Sequence, residues 1–215
     1  MVFNEGKKMD FMPEFEIDQN EIQVVEEMKI LGIIIWSDLK WSSNTAYILE
    51  RAFARLWLLR RLKSLGADQS QLIDVYIKQI RSVLELAVPA WHSGLTLADK
   101  GDIERVQKAA LQIILGMNYR TYSAALKWFE LDTLEQRRTE LCGKFANKAV
   151  KNTKHTNWFK LNDRTTITRN KQHKYCPVRT RTMRYEKSPL SYLTSLLNNW
   201  THYIFSQKWI IDARR

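Results

Sequence analysis

Most of the signatures that fix a chemistry outright are missing from these 215 residues. There is no adjacent Asp-Asp pair, no Gly-x-x-x-x-Gly-Lys phosphate loop and no Gly-x-Gly-x-x-Gly turn. Two-metal phosphoryl transfer needs carboxylates that converge on both ions, and the acidic residues near the predicted strands are scattered. The four histidines, His92, His155, His173 and His202, stand far apart. His173-x-x-Cys176 is the nearest approach to a metal half-site, and without a second ligand pair it reads as a basic loop. No metal, no other cofactor and no catalytic residue is expected. Cysteine is scarce: Cys142 and Cys176 allow one bridge at most. With no secretory signal at the charged N-terminus, they read as reduced thiols of an intracellular protein, nuclear or cytoplasmic. Cys142, at helical spacing, reads as a small core residue rather than a nucleophile. Four prolines and seven glycines exclude collagen-like and low-complexity classes. The apolar runs fall short of the roughly 20 residues of a membrane-spanning helix.

What the chain has in excess is positive charge, and it is unevenly placed. The formal net charge is +11. Residues 1–40 carry four Lys/Arg against nine Asp/Glu, residues 41–100 eight against five, and residues 101–140 six of each. Residues 141–215 carry sixteen against three. A field of that sign favours a polyanion such as RNA or DNA, with a solubilising surface or an anionic membrane as the other readings.

Hydrophobic periodicity changes once along the chain. Phe15, Ile17 and Ile22, Val24 alternate around the turn-forming Asp18–Glu21, and Lys29–Trp36 is β-branched and apolar, as a strand buried on both faces would be. Gly32 within it marks a bulge or a close backbone approach. From Ser43 the step becomes three and four: Leu49, Ala52, Phe53, Leu56, Leu59 and Leu62 predict the buried stripe of a helix that stops at Gly66. Asp68 with Gln71 caps a second helix, with Leu72, Tyr76, Ile80, Val83, Leu84 and Ala87 inward and its end at Pro89. Trp91–Gly94 reads as a turn. Thr96 and Asp99 open a third helix through Ile103, Val106, Ala110, Ile113 and Ile114 that ends near Gly116. A short helix follows over Tyr122–Phe129. The pairs Thr133/Gln136 or Asp132/Glu135 cap a fifth helix through Lys151 that buries Leu134, Leu141, Phe145 and Ala149. Residues 152–177 read as a long basic loop, and 192–211 as a terminal helix. The fold class is therefore mainly α with a β contribution. A strand patch over 1–41 precedes an antiparallel helical bundle over 42–151 and a basic, aromatic-containing extension over 152–215.

Two groups of residues fit phosphate contact. Arg51, Arg55, Arg60, Arg61 and Lys63 fall largely off the apolar stripe of the first helix, where they track phosphates or form a solvated face. Lys171, Lys174, Arg179, Arg181, Arg184 and Lys187 alternate with Tyr175 and Tyr185. That pattern pairs phosphate contacts with base stacking, or it makes a solubilising tail.

A series of short strings then occurs in order: MVFN (1–4), KILG (29–32), LKW (39–41), RRLK (60–63), VY (75–76), SVLE (82–85), PAWH (89–92), LT (95–96), ERVQK (104–108) and TLEQRR (133–138). Leu141–Cys142 and Phe145–Ala146 complete it. Over about residues 1–150 the chain resembles the C-terminal part of a non-LTR retrotransposon reverse transcriptase of the LINE, jockey-like type. The resemblance implies that the Leu-Gly strand region belongs to the end of a polymerase palm, near the grip on the primer, and that the helices form the thumb and its extension. It also implies that the metal-binding aspartates lie upstream of these residues. On that basis the expected function is a noncatalytic C-terminal fragment of an RNA-directed DNA polymerase. The expected partner is a template–primer duplex or element RNA. The alternative is an interaction or relic domain that packs on an upstream palm. Met28–Leu65 is also similar to a short region attached to AlkB-like tRNA-modifying dioxygenases, but the His-x-Asp…His iron triad of that class has no counterpart here.

Overall fold

The computed structural model describes residues 15–18, 20–162 and 174–199. Residues 1–14, Lys171, His173 and positions 200–211 of the expected terminal helix lie outside the described residues. The chain is mainly helical, preceded by a short strand patch. It forms two compact units, one of Met1–Ala87 with Leu95–Leu134, the other of Val88–Gly94 with Glu135–Arg215.

The strands of the first unit form two separate antiparallel hairpins. β1 (Phe15–Ile17) pairs with β2 (Asn20–Ile22), and β3 (Glu27–Ile30) with β4 (Ile33–Trp36). The apolar run 29–36 is therefore not one strand buried on both faces. It folds back at Leu31–Gly32, where both residues have positive φ, +48° and +87°. That is the backbone a two-residue hairpin of right-handed twist requires. The expected close approach at Gly32 exists: a Cβ there would lie 3.1 Å from Leu86 Cδ2. β3 is exposed along its length and β4 half-buried. The Ile34 amide donates to Asn44 Oδ1 at 3.1 Å, which ties β4 to the first turn of the next helix.

α1 (Ser42–Ser64) buries Ile48, Ala52, Leu56 and Leu59, with each Ile or Leu contributing about 1.5–3 kcal/mol relative to exposure. Phe53 is not part of that stripe. It lies 40% exposed, because its azimuth is nearer the solvent side than that of Ala52 or Leu56. The helix closes as predicted: Gly66 has φ +87°, its amide bonds the Lys63 carbonyl, and the Ala67 amide bonds the Leu62 carbonyl. This pairing satisfies the last free carbonyls.

α2 (Gln69–Val75) opens with the expected reciprocal cap between Asp68 and Gln71. It continues through a π turn, Tyr76–Arg81, into α3 (Ser82–Leu84). Leu72, Tyr76, Ile80, Val83 and Leu84 are buried, while Ala87 is only half-buried. The helical run ends at Leu84, short of Pro89, and the turn that follows carries Ala87 at φ +49°. Pro89 sits instead in the first turn of α4 (Val88–Trp91), where its missing amide hydrogen costs no helical bond. His92–Gly94 continues as a 3-10 turn.

α5 (Leu97–Leu115) starts at the Thr96–Asp99 box and stops at Gly116. It packs along α1 and buries Ile103, Val106, Ala110, Leu111 and Ile114, with Ile113 half-buried. α6 (Tyr122–Trp128) closes over Leu111 and Leu115 through Ala125. A polar chain crosses this core. Tyr76 Oη donates to Gln107 Oε1 at 2.5 Å, and Gln107 Nε2 donates to Tyr122 Oη at 2.9 Å and to the Asp132 carbonyl at 3.0 Å. Tyr122 Oη in turn donates to Glu104 Oε1, which also accepts the Leu134 amide at 3.1 Å. Burial pushes both phenols well above the ordinary tyrosine range, aided at Tyr122 by the Glu104 carboxylate. They therefore act as neutral donors.

The second unit is built on α7 (Leu134–Lys151), of which Glu135 onward belongs to it. Its buried face is Arg138, Cys142, Ala146 and Ala149; Leu141 is half-buried and Phe145 exposed, contrary to the spacing-based expectation. The expected stripe is one residue out of phase at Leu141 and Phe145, while Leu134 and Ala149 are buried as expected. Arg138 Nε donates to His92 Nδ1 at 3.4 Å, and the Tyr192 ring stands edge-on to His92 at 5.5 Å. The expected long loop is partly structured: Thr153–Trp158 is a 3-10 segment, and residues 160–162 bond back to 174–176. α8 (Met183–Glu186) and a helix at 189–199, α9, follow among the described residues of this unit.

Candidate nucleic-acid interface

The five cations predicted on α1 divide into two sets. Arg55 is half-buried, and its Nη1 donates to the Gln79 carbonyl within the π turn. A π turn interrupts the regular i to i+4 ladder, and Arg55 supplies a donor where the ladder is broken. Lys63 Nζ donates to the Ile113 carbonyl and, at 3.2 Å, to the Ile114 carbonyl. It thus caps the negative end of α5, where a cation is favoured. Both are engaged inside the first unit.

Arg51, Arg60 and Arg61 remain at the surface. Arg51 Nη1 donates to Tyr47 Oη at 2.8 Å, and its guanidinium lies 5.3 Å from the Tyr47 ring centroid. Lys29 Nζ, from β3, stands 4.6 Å from the same centroid. The Lys29 hydrogen bond, then that of Arg51, holds the Tyr47 phenol below its ordinary value. Two cations from different elements thus converge on one phenolic oxygen. Arg60 and Arg61 form no ion pair among the described residues.

The outer face of this helix also carries aromatics. At 3.6 residues per turn, Glu50, Phe53, Trp57, Arg60, Arg61 and Ser64 share one arc, and all are exposed. Trp57 is 65% exposed. The sequence signal is an i, i+4 aromatic pair followed one turn later by two arginines; the three-and-four step of the apolar residues places Phe53 in the core instead.

In the second unit, Lys174, Arg179, Arg181, Arg184, Tyr185 and Lys187 are exposed. Tyr175 is not: it is 6% exposed, with its ring edge-on to Phe159 at 6.3 Å. Its backbone is held by Asn198, which accepts the Tyr175 amide at 2.9 Å and donates to its carbonyl at 3.0 Å. A base cannot reach that ring, whereas the Tyr185 ring is open. Lys171 lies outside the described residues.

Both cysteines are free thiols, Cys142 buried and Cys176 exposed. Among the described residues, no group of three or more His, Cys, Asp or Glu is placed to hold a metal ion, and no helix is long and apolar enough to cross a membrane. No protein-family model matches the chain, and neither the curated proteins nor the solved structures yield a significant match.

Proposed function

We propose that the chain is a noncatalytic nucleic-acid-binding module of the polymerase-thumb kind, a C-terminal part of a LINE-type reverse transcriptase. In this reading it holds a template–primer or element RNA through phosphate charge. The observation that carries the proposal is the exposed guanidinium set of α1. Arg51, Arg60 and Arg61 face solvent on a helix whose exposed arc carries one carboxylate, Glu50, while Lys29 adds a fourth cation beside Arg51. Phosphate contacts of this type position a strand without reading its sequence. The exposed cations of 174–187 extend the same chemistry in the second unit.

The test is a salt titration of binding followed by fluorescence anisotropy. With about five phosphates contacted on duplex DNA, the logarithm of affinity falls against the logarithm of salt with a slope of about −4.5. A flat dependence rejects the phosphate account.

A second reading is a domain that packs on an upstream polymerase palm. It is favoured by the β3–β4 hairpin, where Met28, Ile30 and Leu31 are exposed and Leu31 stands 92% in solvent at the tip. Exposed apolar strands of this kind usually mark an interaction surface. In that case the isolated chain self-associates in sedimentation runs, and Leu31→Asn reduces the association. A chain that stays monomeric at high concentration removes this reading.

A further inference from the structure

The outer arc of α1 holds more than charge. Phe53 and Trp57 are one turn apart, 40% and 65% exposed. Arg60 and Arg61 follow on the next turn. Two exposed aromatics on adjacent turns form one apolar patch, and such a patch gains by burial. The charge around it selects what can cover it. Two guanidinium groups without ion pairs among the described residues flank its C-terminal side, and Glu50 is the lone carboxylate of the arc.

We infer that this arc binds unpaired bases of single-stranded nucleic acid: Trp57 stacks on a base, Phe53 extends the platform, and Arg60 and Arg61 take the adjoining phosphates. The inference rests on the proposed nucleic-acid reading of α1 and narrows it, at this arc, from phosphate contact with any strand to contact with an unpaired one. Duplex bases are stacked on one another and offer no free π-face to a helix surface. An unpaired strand offers one at every nucleotide, and stacking on aromatics tolerates any sequence. Guanidinium groups beside the indole suit this role further, because they pair with phosphate and lie flat against aromatic faces.

The experiment uses the full chain and four fluorescent probes of equal length: oligouridylate, oligothymidylate, a blunt RNA duplex and an abasic strand carrying phosphates but no bases. Trp57→Ala should weaken binding to both single strands about tenfold. It should leave duplex and abasic binding unchanged, and Trp57→Phe should restore most of the loss. Arg60→Glu with Arg61→Glu should weaken binding to all four probes. Equal losses on the abasic strand or the duplex after Trp57→Ala overturn the stacking inference. So does no loss on any probe while the arginine variant still weakens all four, an outcome that leaves the phosphate reading standing. No effect of either variant, or no binding by the unaltered chain, rejects both. If Trp57→Ala instead converts an oligomer to a monomer in sedimentation without nucleic acid, the arc belongs to a second copy of the chain and the inference fails. Trp57 is exposed, so circular dichroism of each variant should match the unaltered protein.

Discussion

Single side chains decide several local outcomes that spacing alone does not reveal. Gly116 ends α5 at φ +55° and ψ −121°, a backbone region that side chains disfavour, and a Cβ there would lie 2.6 Å from Lys63 Nζ. Gly116→Ala therefore strains the backbone and displaces the cap that Lys63 places on the α5 carbonyls. The expected loss is about 1–3 kcal/mol, read as a lowered urea midpoint with unchanged slope. The two thiols should also separate cleanly. Burial pushes the Cys142 thiol up to about 12, so it stays protonated at neutral pH. In a disulfide-exchange titration Cys176 reacts in the native protein, and Cys142 reacts only on unfolding. Two fast thiols would mean that α7 does not bury Cys142. Tyr175, Arg55 and Lys63 show why part of the candidate site was illegible. Arg55 meets its carbonyl 24 residues away and Lys63 meets its own 50 residues away. Composition and local spacing carry no record of partners that distant.

Elements were legible where their signals are local. Both capping boxes, Asp68/Gln71 and Thr96/Asp99, appear where the three-residue spacing placed them, because cap chemistry is complete within one turn. The π turn at Tyr76–Arg81 left no such mark, since apolar spacing from Leu72 to Leu84 fits an unbroken helix as well. The hairpin at 27–36 was masked differently: an unbroken apolar run hid its turn, with Gly32 the sole hint. Thr96→Ala should cost about 1 kcal/mol through loss of the α5 cap, measurable by chemical denaturation. At the start of α2, the Gln71 backbone amide, assisted by the Ser70 hydroxyl, holds the Asp68 carboxyl below the usual carboxylate range. Its folded value lies below its unfolded one, so the stabilisation is complete above the unfolded value and is lost as pH falls through the folded value. Asp68→Asn keeps a capping oxygen that does not titrate, and it should flatten the acid limb of stability against pH. An unchanged acid limb would show that other carboxylates set it.

As proposed, the whole molecule holds nucleic acid without turning over. On a primed RNA template with Mg²⁺ or Mn²⁺, the purified chain should incorporate no nucleotide. Arginines and lysines position polyanions, but they repel the ions that activate a primer hydroxyl. Primer extension abolished by changing an acidic residue of this chain would overturn that expectation. Tests of the basic extension call for charge substitution rather than truncation. Phe159, Tyr175 and Leu193 are core residues of the second unit, so removing 152–215 takes away folding as well as charge. The discontinuous make-up of that unit also sets a schedule for synthesis. Val88–Gly94 leaves the ribosome well before Glu135, and His92 precedes its neighbour Arg138 by 46 residues. At about 5–20 residues per second, His92 waits roughly 2–9 s for Arg138, and longer for Tyr192. During that interval the 88–94 segment, whose Trp91 is fully buried in the finished protein, lacks most of its own unit, which makes it a natural substrate for a holdase chaperone on the nascent chain.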